Sequence, residues 1–255
     1  MTLPDLLAVL SGGAVGLILA LIGGGGSILA TPALLYIVGV ADAHVAIGTS
    51  ALAVSVNAAA NLINHARRGN VKWRCAAVFA ASGVTGAIVG AEIGKRTDAD
   101  ILLPLFALLM IVVALAMLRP HASEGDGQVT LNAKNAPKLV AFGLGAGGLS
   151  GFFGIGGGFL IVPGLIAATG MTMLQAIGSS LFSVASFGAT TASSYAVDGM
   201  IDWRIALLFI GGGLVGGLVG ATFAQRLSRQ RGALQRLFSG VVFAVALYML
   251  YRSVA

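Results

Sequence analysis

The chain has 255 residues, 57% of them hydrophobic and 9% charged, with a mean hydropathy of +0.96. A soluble domain carries roughly 25% charged residues, so the composition excludes one, and most of the surface is expected to meet lipid. The formal charge of +6 fits cationic membrane loops rather than nucleic acid, and the single cysteine, Cys75, excludes an intramolecular disulfide and a cysteine-based zinc site.

Residues 5 to 22 are apolar up to a first glycine run, Gly23-Gly24-Gly25-Gly26. No Lys or Arg precedes Arg67 and the first charge is Asp5, so the positive leader of a cleaved signal is lacking and the stretch is expected to stay as structure. Residues 27 to 41 continue past Pro32. The broken segment 5–41 is too long for one crossing, which takes about 20 residues, and each part alone is short. A helix with a polar stripe is predicted over 44–66. The basic loop Arg67-Arg68-Gly69-Asn70-Val71-Lys72-Trp73-Arg74 follows, with Trp73 suited to a membrane interface. Helices over 75–94 and 101–118 come next, split by Lys95, Arg96, Asp98 and Asp100.

Residues 119–137 are the one long polar stretch and read as a linker between 1–118 and 138–255. The second part resembles the first. A broken segment over 138–170 holds Gly156-Gly157-Gly158 and Pro163, and helices are predicted over 172–196, 205–225 and 234–251. A shift of 130 carries Ile47-Gly48-Thr49-Ser50 onto Ile177-Gly178-Ser179-Ser180, Trp73-Arg74 onto Trp203-Arg204, Gly86 onto Gly216 and Gly90-Ala91 onto Gly220-Ala221. The prolines align at 131. Internal repeats of this kind are common in transporters. The expected fold is an all-α polytopic membrane protein of two homologous, inverted repeats, each a glycine-broken segment plus three transmembrane helices.

Positive charge bears on how the broken segments run. If each crosses once, Arg67, Arg68, Lys72, Arg74, Arg119, Lys134, Lys138, Arg204 and Arg252 oppose Lys95, Arg96, Arg226, Arg229, Arg231 and Arg236, nine against six. If each goes in and returns as a hairpin, the four arginines from Arg226 to Arg236 join Arg67, while Arg204 and Arg252 join Lys95, giving eleven against four. The hairpin arrangement is preferred, and it puts Asp198 and Asp202 outside.

Ser82, Gly86, Gly90 and Gly94, and Gly212, Gly216 and Gly220, recur every four residues and read as close helix packing in lipid. Consecutive glycines cover every face of a helix, so the two runs read as unwound turns, tolerated at membrane depth only where protein or a cavity lines them. The Gly143–Gly148 stretch matches a dinucleotide fingerprint only superficially, since no strand precedes it and no acidic residue follows at the required distance.

No catalytic set is present, and His44, His65 and His121 lack metal-ligand spacing, so no cofactor is expected. Ser50, Asn57, Asn61 and His65 fall near one helical face, as do Ser179, Ser183, Ser186, Thr190 and Ser194. Serine and threonine can simply join helices in lipid. Two amides one turn apart are costly there and read as site lining. Exposed backbone N–H groups at Gly24, Gly25, Gly26, Gly156, Gly157 and Gly158, with helix N-termini beyond them, make an anion site. Ser27 is a candidate N-cap. Ser50, Asn57, Asn61, Ser179 and Ser180 add neutral donors. No intramembrane acid apart from Glu92 is available for a cation. An ion-coupled transporter, a passive anion channel and, less favoured, a membrane assembly factor fit these residues; a homo-oligomer is compatible with them.

The paired motifs Ile22-Gly23-Gly24-Gly25-Gly26 with Pro32 and Ile155-Gly156-Gly157-Gly158 with Pro163, and the paired Ile47-Gly48-Thr49-Ser50 and Ile177-Gly178-Ser179-Ser180, resemble the TauE/SafE family of membrane transporters. The resemblance covers nearly the whole chain except the linker. It implies a multi-pass inner-membrane permease of the kind associated with export of sulfite, sulfoacetate or other organosulfur anions. The expected activity is outward transport of such an anion driven by an ion gradient, with a proton or sodium as the coupling ion.

Overall fold

The computed structural model describes residues 2–118, 128–154, 158–227 and 231–254. Gly156, Gly157 and most of the linker therefore lie outside the described residues. Among the described residues the fold is all helical. It comprises α1 (Leu3–Ile22), a 3-10 segment (Gly23–Leu29), the single turn α2 (Ala30–Pro32), a π segment (Ala33–Val38), α3 (Ala43–Arg67), α4 (Trp73–Lys95) and α5 (Ala99–Leu118). After the linker come α6 (Ala136–Phe153), α7 (Gly158–Thr169), α8 (Met173–Val197), α9 (Trp203–Leu227) and α10 (Arg231–Val254).

Five of these, α1, α3, α4, α5 and α9, contain stretches long and apolar enough to cross a membrane. Ile101, Leu105, Leu108, Val112 and Leu115 form an exposed apolar stripe along α5, as do Leu207, Leu214, Val215 and Leu218 on α9. Their opposite faces turn inward at Leu102, Phe106 and Met110 of α5 and Phe209 of α9, and Phe79, Leu139, Leu181 and Phe187 of the other helices complete the buried core. Capping sets where the long helices begin. The Asp42 carboxylate accepts from the N–H groups of His44 and Val45 at the start of α3, and the Thr172 hydroxyl accepts from Gln175 N–H at the start of α8.

The break after α1 differs from the expected unwound turn. Gly23–Leu29 keeps a helical turn but tightens to 3-10, then widens to π through Ala33–Val38. The residue at the N-cap of α2 is Leu29, in helical conformation and with no side-chain cap, so Ser27 is not the cap of a fresh helix. Gly26 packs directly on the backbone of Ile18 and Leu19. Residues seven or eight apart on a straight helix lie more than about 10 Å apart, so the chain has doubled back.

Where it returns is fixed by side-chain contacts. Asp5 near the start of α1 pairs with Arg204 at the start of α9, at 2.7 Å. Gly48 in the second turn of α3 meets the Met200 carbonyl just ahead of α9. The segment from α1 to α3 thus begins and ends at one end of the bundle, here the Asp5 end. His44 Nε2 lies 3.1 Å from Thr97 O and Lys95 Nζ 2.6 Å from Asp198 at the same end.

Two helix pairs run side by side in parallel. Gly16 of α1 faces Gly213 of α9, and Gly147 of α6 faces Gly83 of α4, each so close that a Cβ would collide with the partner's backbone carbonyl. Gly216 meets Gly13, Gly86 meets Leu144, and Gly90 meets Gly148 in the same rows. Between the pairs, α3 and α8 cross antiparallel, with Ser55 Oγ donating to Ala185 O at 2.7 Å.

Candidate functional site

The first break and Gly154, at the described edge of the second, come together beside α3. The 3-10 segment packs against α7 and α8, and α6 ends at Gly154, whose φ of 66° is a left-handed conformation that glycine adopts freely. Gly154 also lies so close to Ile47 of α3 that a Cβ would overlap its side chain. Between the two breaks stands Ser50. Its hydroxyl lies 2.8 Å from Thr31 Oγ1 on the first break and 3.5 Å from Gly154 O on the second, and donates to its own Ile47 O at 2.9 Å. Thr31 and Ser50 are each 1% exposed. Thr31 and Gly154 escape notice in the sequence. The one signal at Thr31 is a hydroxyl directly before Pro32, the residue that shapes the break.

Ser27 is fully buried, on the 3-10 segment with Gly24, Gly25 and Gly26. Gly158 begins α7. The other expected residues divide into two groups. Asn57 and Asn61 sit on α3 facing α9, the Asn57 amide lying across Gly213 and that of Asn61 against Gly217. Asn61 Nδ2 donates to Asn57 O at 3.0 Å. Asn57 is 1% exposed and neither Oδ1 nor Nδ2 has a hydrogen-bond partner. Leaving such a group unsatisfied costs about 1–3 kcal/mol. At the corresponding place 130 residues on, Phe187 fills the notch at Gly83 and stacks on Phe79, with ring centroids 6.3 Å apart.

Ser179 and Ser180 lie on α8, both fully buried. Ser179 Oγ accepts from Lys72 N–H at 2.9 Å, and Ser180 Oγ donates to Ile177 O at 2.8 Å. They are not beside Ser50. Ser50 stands five residues before Ser55, and Ser180 five residues before Ala185, the residues that meet where these antiparallel helices cross. At about 1.5 Å per residue each is displaced roughly 7 Å from the crossing, in opposite directions. A small solute cannot touch both at once.

Known proteins bear on this arrangement. A family model described as Sulfite exporter TauE/SafE matches residues 8–249. A protein of Xylella fastidiosa (strain 9a5c) named "Probable membrane transporter protein" is 51% identical, the match spanning 99% of this chain and 98% of that one. A protein of the same name from Haemophilus influenzae is 31% identical over 76% of this chain and 74% of its own. The "Probable membrane transporter protein YdhB" of Bacillus subtilis is 26% identical over 84% and 88%. No solved structure matches the chain.

Proposed function

The chain belongs to the sulfite exporter TauE/SafE family of membrane transporters, and from that premise we propose that it moves a small sulfur-containing anion, sulfite or an organosulfonate such as sulfoacetate, out across the inner membrane. The single observation that carries this reading is the Ser50 hydroxyl, buried between the first break at Thr31 and the second at Gly154. Neutral hydroxyls and backbone N–H groups suit an oxyanion that must be bound and then released. A hydrogen bond to an anion is roughly twice as strong as a neutral one, so Ser50 can exchange its Ile47 carbonyl for substrate oxygen.

The two halves are, in this reading, inverted repeats. Positions 130 apart make reciprocal contacts, with Asp202 N–H on Thr49 Oγ1 and Lys72 N–H on Ser179 Oγ. The doubled-back first break and the parallel pairs α1 with α9 and α4 with α6 agree with opposed hairpins. In that arrangement the Arg67 end faces the cytoplasm, because it gathers eleven of the fifteen cationic residues. Ser50 and Ser180 occupy the same position in the two halves and serve the substrate in turn as the halves rock. Asn57 and Asn61 line the way between them. A proton or sodium gradient drives the cycle.

The test is a thermal-shift series on purified protein with sulfite, sulfonates, thiosulfate, sulfate and carboxylates. A ligand of the folded state raises apparent stability by mass action. Sulfite or a sulfonate should raise the midpoint most; a larger shift with carboxylates, or none with any anion, overturns the substrate assignment.

A further inference from the structure

A second site lies away from the breaks. An apolar groove of about 340 Å³ runs between α1, the segment Leu29–Ile37 and α10. Val15 and Ile18 of α1 form one wall, Pro32 and Ala33 its floor, and Val241 and Val245 of α10 the other wall. The main partner of α10 is α5, which leaves this trough on its other side. At one end Tyr36 and Tyr248 meet edge to face, with centroids 5.3 Å apart. Arg252, one turn beyond Tyr248 on α10, is exposed.

We infer that this groove holds one acyl chain of an anionic phospholipid, with Arg252 on its phosphate. The chemistry along the groove follows the order of such a lipid. An apolar trough is followed by two tyrosines, whose amphipathic rings suit the headgroup level, and then by a guanidinium that matches phosphate. Neither water nor a soluble anion is suited to an aliphatic trough. The occupant touches Pro32, Ala33, Tyr36 and Ile37, all on the returning arm of the first break. The lipid therefore braces the very segment that carries Thr31.

The experiment is native mass spectrometry of the detergent-purified chain titrated with phosphatidylglycerol or phosphatidylcholine of identical acyl chains. Wild type should retain one phosphatidylglycerol in preference to phosphatidylcholine. Val245→Trp, which fills the groove from α10, and Ala14→Phe, which fills it from the lipid-facing side of α1, should each weaken that retention by about tenfold. Arg252→Gln should retain both lipids equally. Val89→Trp, in a different apolar groove beside α6, should behave as wild type. Should Val245→Trp not fold, Ala14→Phe alone carries the comparison. Unchanged retention in the groove-filled variant, or an undiminished phosphatidylglycerol preference in Arg252→Gln, overturns the proposal.

Discussion

The backbone N–H of Asp202 donates to Thr49 Oγ1 at 3.0 Å, so a hydroxyl on α3 holds the loop that leads into α9. At the other end of the bundle Ser179 on α8 holds Lys72, ahead of α4, in the same way at 2.9 Å. Thr49 is fully buried. Thr49→Val keeps the volume but strands the Asp202 N–H, which should cost about 1–3 kcal/mol. Denaturant unfolding in detergent should show a lowered midpoint for Thr49→Val and a near wild-type one for Thr49→Ser. Thr49→Val with Ser179→Val should lose the sum of the two, because the contacts are far apart.

The parallel pairs depend on backbone contact. A Cβ at Gly147 would strike the Gly83 carbonyl, whereas one at Gly145 would meet nothing within 4 Å. Overpacking usually costs about 1–3 kcal/mol, and rigid backbone leaves less room to relax than a side chain does. Gly147→Leu should yield little folded protein by size-exclusion chromatography. Gly145→Leu, on the same helix and of the same bulk, should elute as wild type.

The rocking proposed for the two halves would require the Asp5 end to open. That end is tied by Lys95, which pairs with Glu92 at 2.7 Å and Asp198 at 2.6 Å, while Ser194 donates to Glu92 at 3.2 Å. These contacts join α4 to α8 and its C-cap. Glu92→Cys with Ser194→Cys, bridged by a short thiol-reactive crosslinker, should stop flux in proteoliposomes, and cleaving the bridge should restore it. Full flux from quantitatively crosslinked protein would rule out opening at this point.

Asn61 separates site lining from helix packing. Its amide donates one bond, to Asn57 O on its own helix. Asn61→Leu should therefore fold, with an unfolding midpoint close to wild type, and lose transport. Normal efflux from that variant would remove Asn61 from the substrate path.

Much of the fold is legible in the sequence because lipid imposes long apolar runs. The α3 stretch expected over 44–66 is Ala43–Arg67, and that over 172–196 is Met173–Val197. The four-residue spacing of Gly86, Gly90 and Gly94 marks a packing face, which α6 covers. Which helix supplies the partner is a long-range property, and no local pattern in α1 points to α9. The character of the break was hidden for a different reason. Four glycines permit both an unwound loop and a tightened 3-10 turn, and the contact of Gly26 with Ile18 decides between them. Of the candidate site, the polar stripe makes Ser50 legible as a buried polar group. Its partner Thr31 is not legible, since one threonine in an apolar run looks like packing. The separation of Ser50 from Ser180 was invisible too, because it follows from the antiparallel crossing at Ser55.

Passage of a sulfur anion through the Ser50 junction is the central step of the proposed transport. The most direct measurement is sulfite flux into or out of proteoliposomes under an imposed ion gradient, comparing protein-free vesicles, wild type and Ser50→Ala. Wild type should carry sulfite well above the protein-free rate, and Ser50→Ala should fall by about tenfold or more, as expected for a lost hydrogen bond to a charged group, while staying folded with a stability loss of only about 1–3 kcal/mol from the stranded Thr31 hydroxyl. Sulfite flux no faster than in empty vesicles, or a Ser50→Ala rate equal to wild type, would contradict it.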